Sequence, residues 1–223
     1  HARLLALDVA GAASRPGVFR VLMGADLDPV MTPWVGVLAH FKGLKSAPQY
    51  PLARGRAVFQ GEPVAMVLAA SRRAAEDALP FVRAEWEPLP ALTDPEASLA
   101  APPIHAELGD NLAFTRTAET GDLQAAFARA HAVVESAFET ARHTGVTLEP
   151  RGVLAQWDPA EQRLTVHHGT QAPHMMKEIF VRHLVGLAEE QVRVVCPDVG
   201  GAFGIKIHTY QDEMACVAAA RLL

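Results

Sequence analysis

Alternating hydrophobic and polar positions predict most of the first hundred residues as strands with one helix. The helix is expected over about residues 72–82, after Ser71 as N-cap, because alanine and leucine recur there at helical spacing. Pro80 is expected to bend or end it. The helix and its neighbouring strands should form a β-β-α-β unit, with the helix laid over one sheet. The strands predicted here cover residues 1–10, 18–23, 56–60, 64–69 and 82–89.

The second half of the chain shows a similar mixture of patterns. A short helix is expected over residues 123–130, opened by Gly121 and Asp122. The last helix should start near Thr209, which has the spacing of a capping box with Asp212. It has no glycine or proline stop signal, so we expect the natural polypeptide to continue. The other elements predicted are strands at 132–141, 152–158, 163–171 and 191–199 and a helix at 173–184.

A proline- and alanine-rich stretch separates the two halves. Five prolines lie between Pro88 and Pro103, a composition typical of an extended connection. We therefore predict an α+β chain with a first domain at residues 1–95, a linker at 96–119 and a second domain at 120–223.

Composition and charge exclude several classes of protein. The net charge of −5 lacks the basic excess of a nucleic-acid binder, and no apolar run is long enough to span a membrane. The first residues lack the pattern of a signal peptide. Two cysteines, Cys196 and Cys216, cannot form a disulfide framework or complete a zinc or iron–sulfur site. A cytoplasmic location is the expectation.

The segment DVGGAFGIK, residues 198–206, has the composition of a phosphate-binding loop but not its spacing. Gly201, Gly204 and Lys206 do not fit the Walker pattern, and Ile207 stands where that pattern needs a hydroxyl. The glycine offsets also differ from the dinucleotide-binding fingerprint. Two readings stay open: a tight strand-to-helix connection, or a turn whose free amides receive an anionic or polar ligand.

Several motifs in the same order resemble the molybdenum hydroxylases, the family of xanthine dehydrogenase, aldehyde oxidase and aerobic carbon monoxide dehydrogenase large subunits. GEPVA and EPLP resemble the hammerhead domain, whose opening strands are incomplete here. LEPRG, GTQAP and GGAFGIK resemble the first part of the molybdopterin-binding domain. The resemblance covers nearly the whole chain and implies a hammerhead-like α/β domain followed by the first portion of a molybdopterin-binding domain.

The resemblance also implies roles for particular residues. Gln171 matches the glutamine that reaches toward the apical oxo group of molybdenum, a role for which a neutral amide donor is suited. Main-chain amides of the glycine loop are implied to approach the cofactor, and fixed dipoles suit that position. No residue is implied as a direct metal ligand. The implied cofactor-binding set is Gln171, Gly201, Ala202, Phe203 and Gly204.

Three departures from the family pattern limit what can be carried over. Ile207 stands where purine-hydroxylating relatives have a substrate-binding glutamate, so xanthine is a poor substrate expectation. Ile205 occupies a position that is often glycine or asparagine. The residues matched here contain no counterpart of the family's general-base glutamate, so the catalytic set is incomplete in this chain and the chain alone is expected to be inactive.

Other polar residues support weaker hypotheses. His167 and His168 are adjacent, so a strand would point them to opposite faces, and polar strand-edge residues are the favoured interpretation over a metal site. Glu149 and Arg151 would share a strand face, which favours an ion pair between them. The alternative is that Arg151, like Ile207, lines the substrate channel.

Two functions remain in competition. In the first, the chain is a subunit or fragment of a molybdenum-dependent hydroxylase that oxidises an aldehyde or N-heterocycle with water-derived oxygen. It would share the molybdopterin cofactor with other domains or chains, and partners would carry iron–sulfur clusters and FAD. In the second, it is a non-catalytic remnant or an assembly module that kept the fold.

Overall fold

The computed structural model describes residues 1–36, 42–141 and 143–223 and confirms a mixed arrangement of helices and strands. The elements of the first half are β1 (Ala2–Asp8), α1 (Ala10–Ala13), β2 (Val18–Met23), β3 (Trp34–Val35), β4 (Pro48–Gln49), β5 (Arg56–Ala57), β6 (Ala65–Ala69), α2 (Arg72–Ala78) and β7 (Arg83–Pro88). Its strands form three antiparallel sheets in the described residues. One has three strands in the order β5-β1-β7, and the other two pair β2 with β6 and β3 with β4.

Helix α2 begins where the sequence predicts, but it ends at Ala78 and not at residue 82. The Ser71 hydroxyl accepts a hydrogen bond from the Ala74 amide at 3.2 Å, which satisfies one of the free donors of the first turn. The helix gives way at Leu79 to a short 3₁₀ turn that contains Pro80. The expected single sheet beneath it is wrong, because β6 pairs with β2 whereas β7 pairs with β1.

The elements of the second half are α3 (Pro95–Ser98), α4 (Leu123–Ala128), β8 (Val153–Asp158), β9 (Arg163–His168), α5 (Pro173–His183), β10 (Val192–Val195) and α6 (Gln211–Leu222). They are built on a sheet with the strand order β10-β9-β8. Strands β8 and β9 form an antiparallel hairpin, and β10 lies parallel to β9 after the crossover through α5. Helix α6 packs on β8 and α5 on β10.

One hydrophobic core joins the two halves of the chain. Leu22, Leu27 and Leu52 from the first half pack in the same buried cluster as Phe180 and Met214 from the second. Backbone hydrogen bonds cross the same boundary, from the Thr32 amide to His183 and from the Val185 amide to Val30. The two halves therefore share buried residues, and the division into domains at 1–95 and 120–223 with a linker at 96–119 stays a prediction.

The strand expected at residues 132–141 is absent from the structure. Its alternation is real, but the segment has no regular secondary structure, and Val134 and Phe138 are 87 and 93% exposed. A strand is stable only when a neighbour pairs with its backbone, and the described residues provide no such neighbour here.

Helix α6 confirms its predicted buried face but not its predicted cap. Met214, Val217 and Ala218 are fully buried, as the helical spacing indicates. The helix begins at Gln211, and Asp212 binds an arginine instead of closing a capping box with Thr209. No helix in the described part of the chain has the length and apolarity needed to cross a membrane.

Candidate functional site

The glycine-rich segment connects β10 to α6 through a turn that requires unusual backbone angles. Gly201 and Gly204 have φ values of +93° and +86°, in the left-handed region that glycine occupies without steric strain. Phe203 between them has φ +49°, which is uncommon for a residue with a side chain. Its ring is 80% exposed, so the turn presents both backbone and an aromatic face to the surroundings.

Three consecutive amides of this turn are free to donate. Among the described residues, the N–H groups of Ala202, Phe203 and Gly204 donate no hydrogen bond. The amides on either side are occupied: that of Gly201 donates to Val199 O at 2.9 Å and that of Ile205 to Ala202 O at 3.0 Å. Gly201 therefore shapes the turn, and residues 202–204 form the open set of donors, which suits an anionic or oxygen-rich ligand.

Gln171 follows the end of β9 and lies next to Lys206, at the end of the glycine-rich segment. The Gln171 amide donates to Lys206 O at 3.0 Å, and the buried Thr170 hydroxyl donates to the same carbonyl at 2.9 Å. The Gln171 side chain accepts a hydrogen bond from the Lys206 amide through Oε1, at 3.3 Å. With its oxygen engaged, the exposed side chain has its N–H₂ group left as a donor.

Lys206 and Glu149 form an ion pair beneath the turn. The Lys206 side chain is fully buried, and its Nζ lies 2.5 Å from Glu149 Oε2. The same oxygen accepts a hydrogen bond from the Gly200 amide at 2.7 Å. The hydrogen bonds from Lys206 and Gly200 lower the pKa of Glu149 below its ordinary value, so this carboxylate stays charged at neutral pH.

Arg151 does not pair with Glu149, and that expectation is wrong. Residues 149–152 precede β8 and are not in a strand, so the two side chains do not share a strand face. Arg151 instead donates to Asp212 and Glu213 at the start of α6 and stacks on the Tyr210 ring, 3.8 Å from its centre. A place for Arg151 in a substrate channel stays a prediction.

His168 belongs to the core, contrary to the expected strand edge. Its side chain is 2% exposed, and Nε2 lies 3.1 Å from Oε2 of the buried Glu213. Only His167 is exposed, so the two neighbouring histidines do point to opposite faces. The described residues contain no cluster of three or more histidine, cysteine or acidic side chains that could hold a metal ion.

Ile207, the other predicted channel residue, follows Lys206 directly and is 40% exposed. The structure thus places Gln171 in contact with the end of the glycine loop, whereas Arg151 binds the first residues of α6. The Glu149–Lys206 pair was not predicted. Its only signal in the sequence is one acidic and one basic residue near two motifs, which does not identify a contact across 57 positions.

Comparison with known proteins identifies the family of the chain. Residues 104–223 match the model for the molybdopterin cofactor-binding domain, and residues 1–90 match that for the aldehyde oxidase and xanthine dehydrogenase a/b hammerhead domain. The chain therefore belongs to the aldehyde oxidase and xanthine dehydrogenase family of molybdenum hydroxylases.

Three similar proteins illustrate the relationship. The nicotine 6-hydroxylase large subunit of Paenarthrobacter nicotinovorans is 34% identical over all of this chain, and the carbon monoxide dehydrogenase large chain of Afipia carboxidovorans is 33% identical. The quinoline 2-oxidoreductase of Pseudomonas putida 86 superposes on 99% of the chain with a TM-score of 0.90 and 34% identity. The chain spans 27%, 29% and 28% of these proteins, respectively.

Proposed function

We propose that this chain forms one wall of the molybdenum cofactor site in a molybdenum hydroxylase. The observation that carries the proposal is the row of three free amides at residues 202–204 in a loop whose end, at Lys206, holds Gln171 with its N–H₂ group free. Neutral donors of this kind fit the oxygen- and sulfur-rich surroundings of a molybdopterin, because they stabilise negative charge without themselves carrying charge. The cofactor, when bound, supplies the electron-accepting and oxygen-transferring chemistry.

The residues of this chain would hold the cofactor and polarise its ligands. The backbone donors at 202–204 are fixed by the turn, so they need little reorganisation when charge develops opposite them. Gln171 donates from a side chain whose other end is held by the Lys206 amide. The general base and the remaining contacts to the cofactor would come from the part of the protein outside these residues.

The substrate class we favour is an N-heterocycle or an aldehyde. Two of the similar proteins are a nicotine 6-hydroxylase and a quinoline 2-oxidoreductase, which indicates N-heterocycles as the first compounds to test. Ile207 presents an apolar, partly exposed side chain next to the turn and provides no carboxylate for a purine. We therefore expect xanthine to be turned over poorly.

Other chains complete the proposed enzyme. Iron–sulfur clusters and FAD in partner domains or subunits would carry electrons away from the site. The proposed location is the cytoplasm, which agrees with Cys196 and Cys216 being free thiols.

The test compares the isolated chain with the complex that it forms with the products of neighbouring genes. Molybdenum and pterin are measured in both, and turnover of quinoline, an aromatic aldehyde and xanthine is followed with an artificial electron acceptor. We expect cofactor and activity in the complex and no turnover by the isolated chain. A complex that contains neither molybdenum nor pterin would favour the non-catalytic assembly module. Turnover by the pure chain would contradict the expectation that the general base lies outside these residues.

A further inference from the structure

The ammonium group of Lys206 is buried without being available to a ligand. Its side chain is fully buried, and Glu149 Oε2 at 2.5 Å is the only hydrogen-bond partner of Nζ in the described part of the chain. A lysine is rarely fully buried unless it is paired, because removing an ammonium group from water is unfavourable. The charge of Lys206 is therefore directed at the protein itself and not at a phosphate in the open side of the turn.

One carboxylate oxygen joins both ends of the glycine loop. Glu149 Oε2 accepts the Gly200 amide at 2.7 Å at the start of the loop and Lys206 Nζ at its end. The contact with Gly200 is close: a β-carbon at that position would lie 2.6 Å from the Glu149 β-carbon. Gly200 is therefore needed so that the carboxylate can approach the backbone.

The residues before Glu149 extend this contact along the loop. A β-carbon on Gly145 would lie 3.1 Å from that of Phe203, and one on Gly201 would lie 3.6 Å from Thr147 Cγ2. The Thr147 hydroxyl donates to Glu149 O at 2.5 Å, which holds the peptide next to the carboxylate. Segment 145–149 thus supports the turn from one side.

The backbone of Lys206 is hydrogen-bonded to both the main chain and the side chain of Gln171. Its carbonyl accepts hydrogen bonds from the Gln171 amide and the Thr170 hydroxyl, and its amide donates to Gln171 Oε1. A shift of Lys206 would therefore move the end of the loop and change the orientation of the Gln171 side chain together.

We propose that Glu149 and Lys206 are a positioning pair: before the cofactor binds, their ion pair fixes loop 200–206 and the side-chain N–H₂ group of Gln171 in the geometry in which they can donate. This inference rests on the proposed function only for the identity of the ligand that the loop binds. In this role the pair acts through the loop and not by contact with substrate or cofactor. Pre-ordering of this kind matters because donors that are already fixed need not be ordered when the ligand arrives.

The experiment measures amide hydrogen exchange in the cofactor-free complex for wild type and for the variants Glu149→Gln, Lys206→Met and their combination. Each single variant keeps the shape of the side chain and removes one charge. We expect the protected amides of residues 200, 201, 205 and 206 to exchange at least tenfold faster in both single variants. The double variant should add little, because either change already breaks the same contact.

Matched controls use the exposed ion pair between Lys177 and Glu189, whose atoms lie 3.2 Å apart outside the loop. Lys177→Met and Glu189→Gln should leave exchange at 200–206 unchanged. If Glu149→Gln does not assemble, Lys206→Met provides the same test, because it leaves no unpaired charge inside the protein. Unchanged exchange in the loop of either assembled variant would overturn the proposal, since a lysine that merely fills space would be replaced adequately by methionine.

A second readout separates this inference from the proposed function. In the complex purified from cells that make the cofactor, Lys206→Met should lower kcat more than tenfold and change KM for the organic substrate less than threefold. Loss of loop protection in a complex that never contains molybdenum would support the positioning pair and reject the proposed function. Normal loop protection with normal molybdenum content and an unchanged kcat would reject the positioning pair alone.

Discussion

Replacing Gln171 by alanine is expected to lower kcat of the complete complex by about a hundredfold, the usual effect of losing one fixed donor at a developing negative charge. Molybdenum content should fall less than twofold, because the three free amides at residues 202–204 remain as contacts. Steady-state kinetics and metal analysis of the same preparation provide the two numbers.

A second variant isolates the donor from the structural bond. Gln171→Glu keeps an oxygen that can accept from the Lys206 amide, replaces the N–H₂ donor by an acceptor oxygen and adds a negative charge. Its kcat should be as low as that of Gln171→Ala. Gln156→Ala, an exposed glutamine on β8, is the control and should behave as wild type. Equal rates for wild type and both Gln171 variants would contradict a donor role.

Replacing Glu213 by alanine is expected to be the most destabilising single change at the base of the site. The Glu213 side chain is 5% exposed and lies between Arg151 and the buried His168, so its loss leaves His168 without its partner and removes one of the two carboxylates that bind Arg151. The expected loss is about 3 kcal/mol, the lower end for breaking a buried ion pair, because Arg151 keeps Asp212. Thermal unfolding of the 223-residue chain should show a melting temperature lower by roughly 6–12 °C.

The neighbouring residue offers a control in the same ion-pair network. Asp212 also binds Arg151, but its side chain is 60% exposed, so water replaces the lost contact. Asp212→Ala should therefore lose less than about 1 kcal/mol. Equal melting temperatures for the two variants would show that burial of Glu213 does not govern the stability of this network.

Local patterns predicted the elements whose determinants lie within a few residues of one another. Ser71 caps α2 as expected, and the spacing of Met214 and Val217 identifies the buried face of α6. Such features depend on backbone geometry and helical periodicity, which a short stretch of sequence contains in full. The glycine loop and Gln171 were predicted as a site from the order of the family's motifs, because no local pattern distinguishes this segment from an ordinary turn.

Features that depend on distant partners were missed or misplaced. The alternation at 132–141 predicted a strand, but a strand also needs a neighbour. Glu149 and Arg151 were paired with each other by proximity in sequence, whereas each binds a residue about 60 positions away. Thr209 and Asp212 have the spacing of a capping box, but the arginine before β8 is the stronger partner for the aspartate.

The central claim is that the turn at 202–204 and Gln171 contact the cofactor. The most direct measurement compares amide hydrogen exchange in the complex purified with its cofactor and in the same complex from cells that cannot make molybdopterin. The account predicts that the amides of Ala202, Phe203 and Gly204, free in this structure, become at least tenfold slower to exchange when the cofactor is present. The same exchange rate in both preparations, with molybdenum present in the first, would place the cofactor elsewhere and contradict the account.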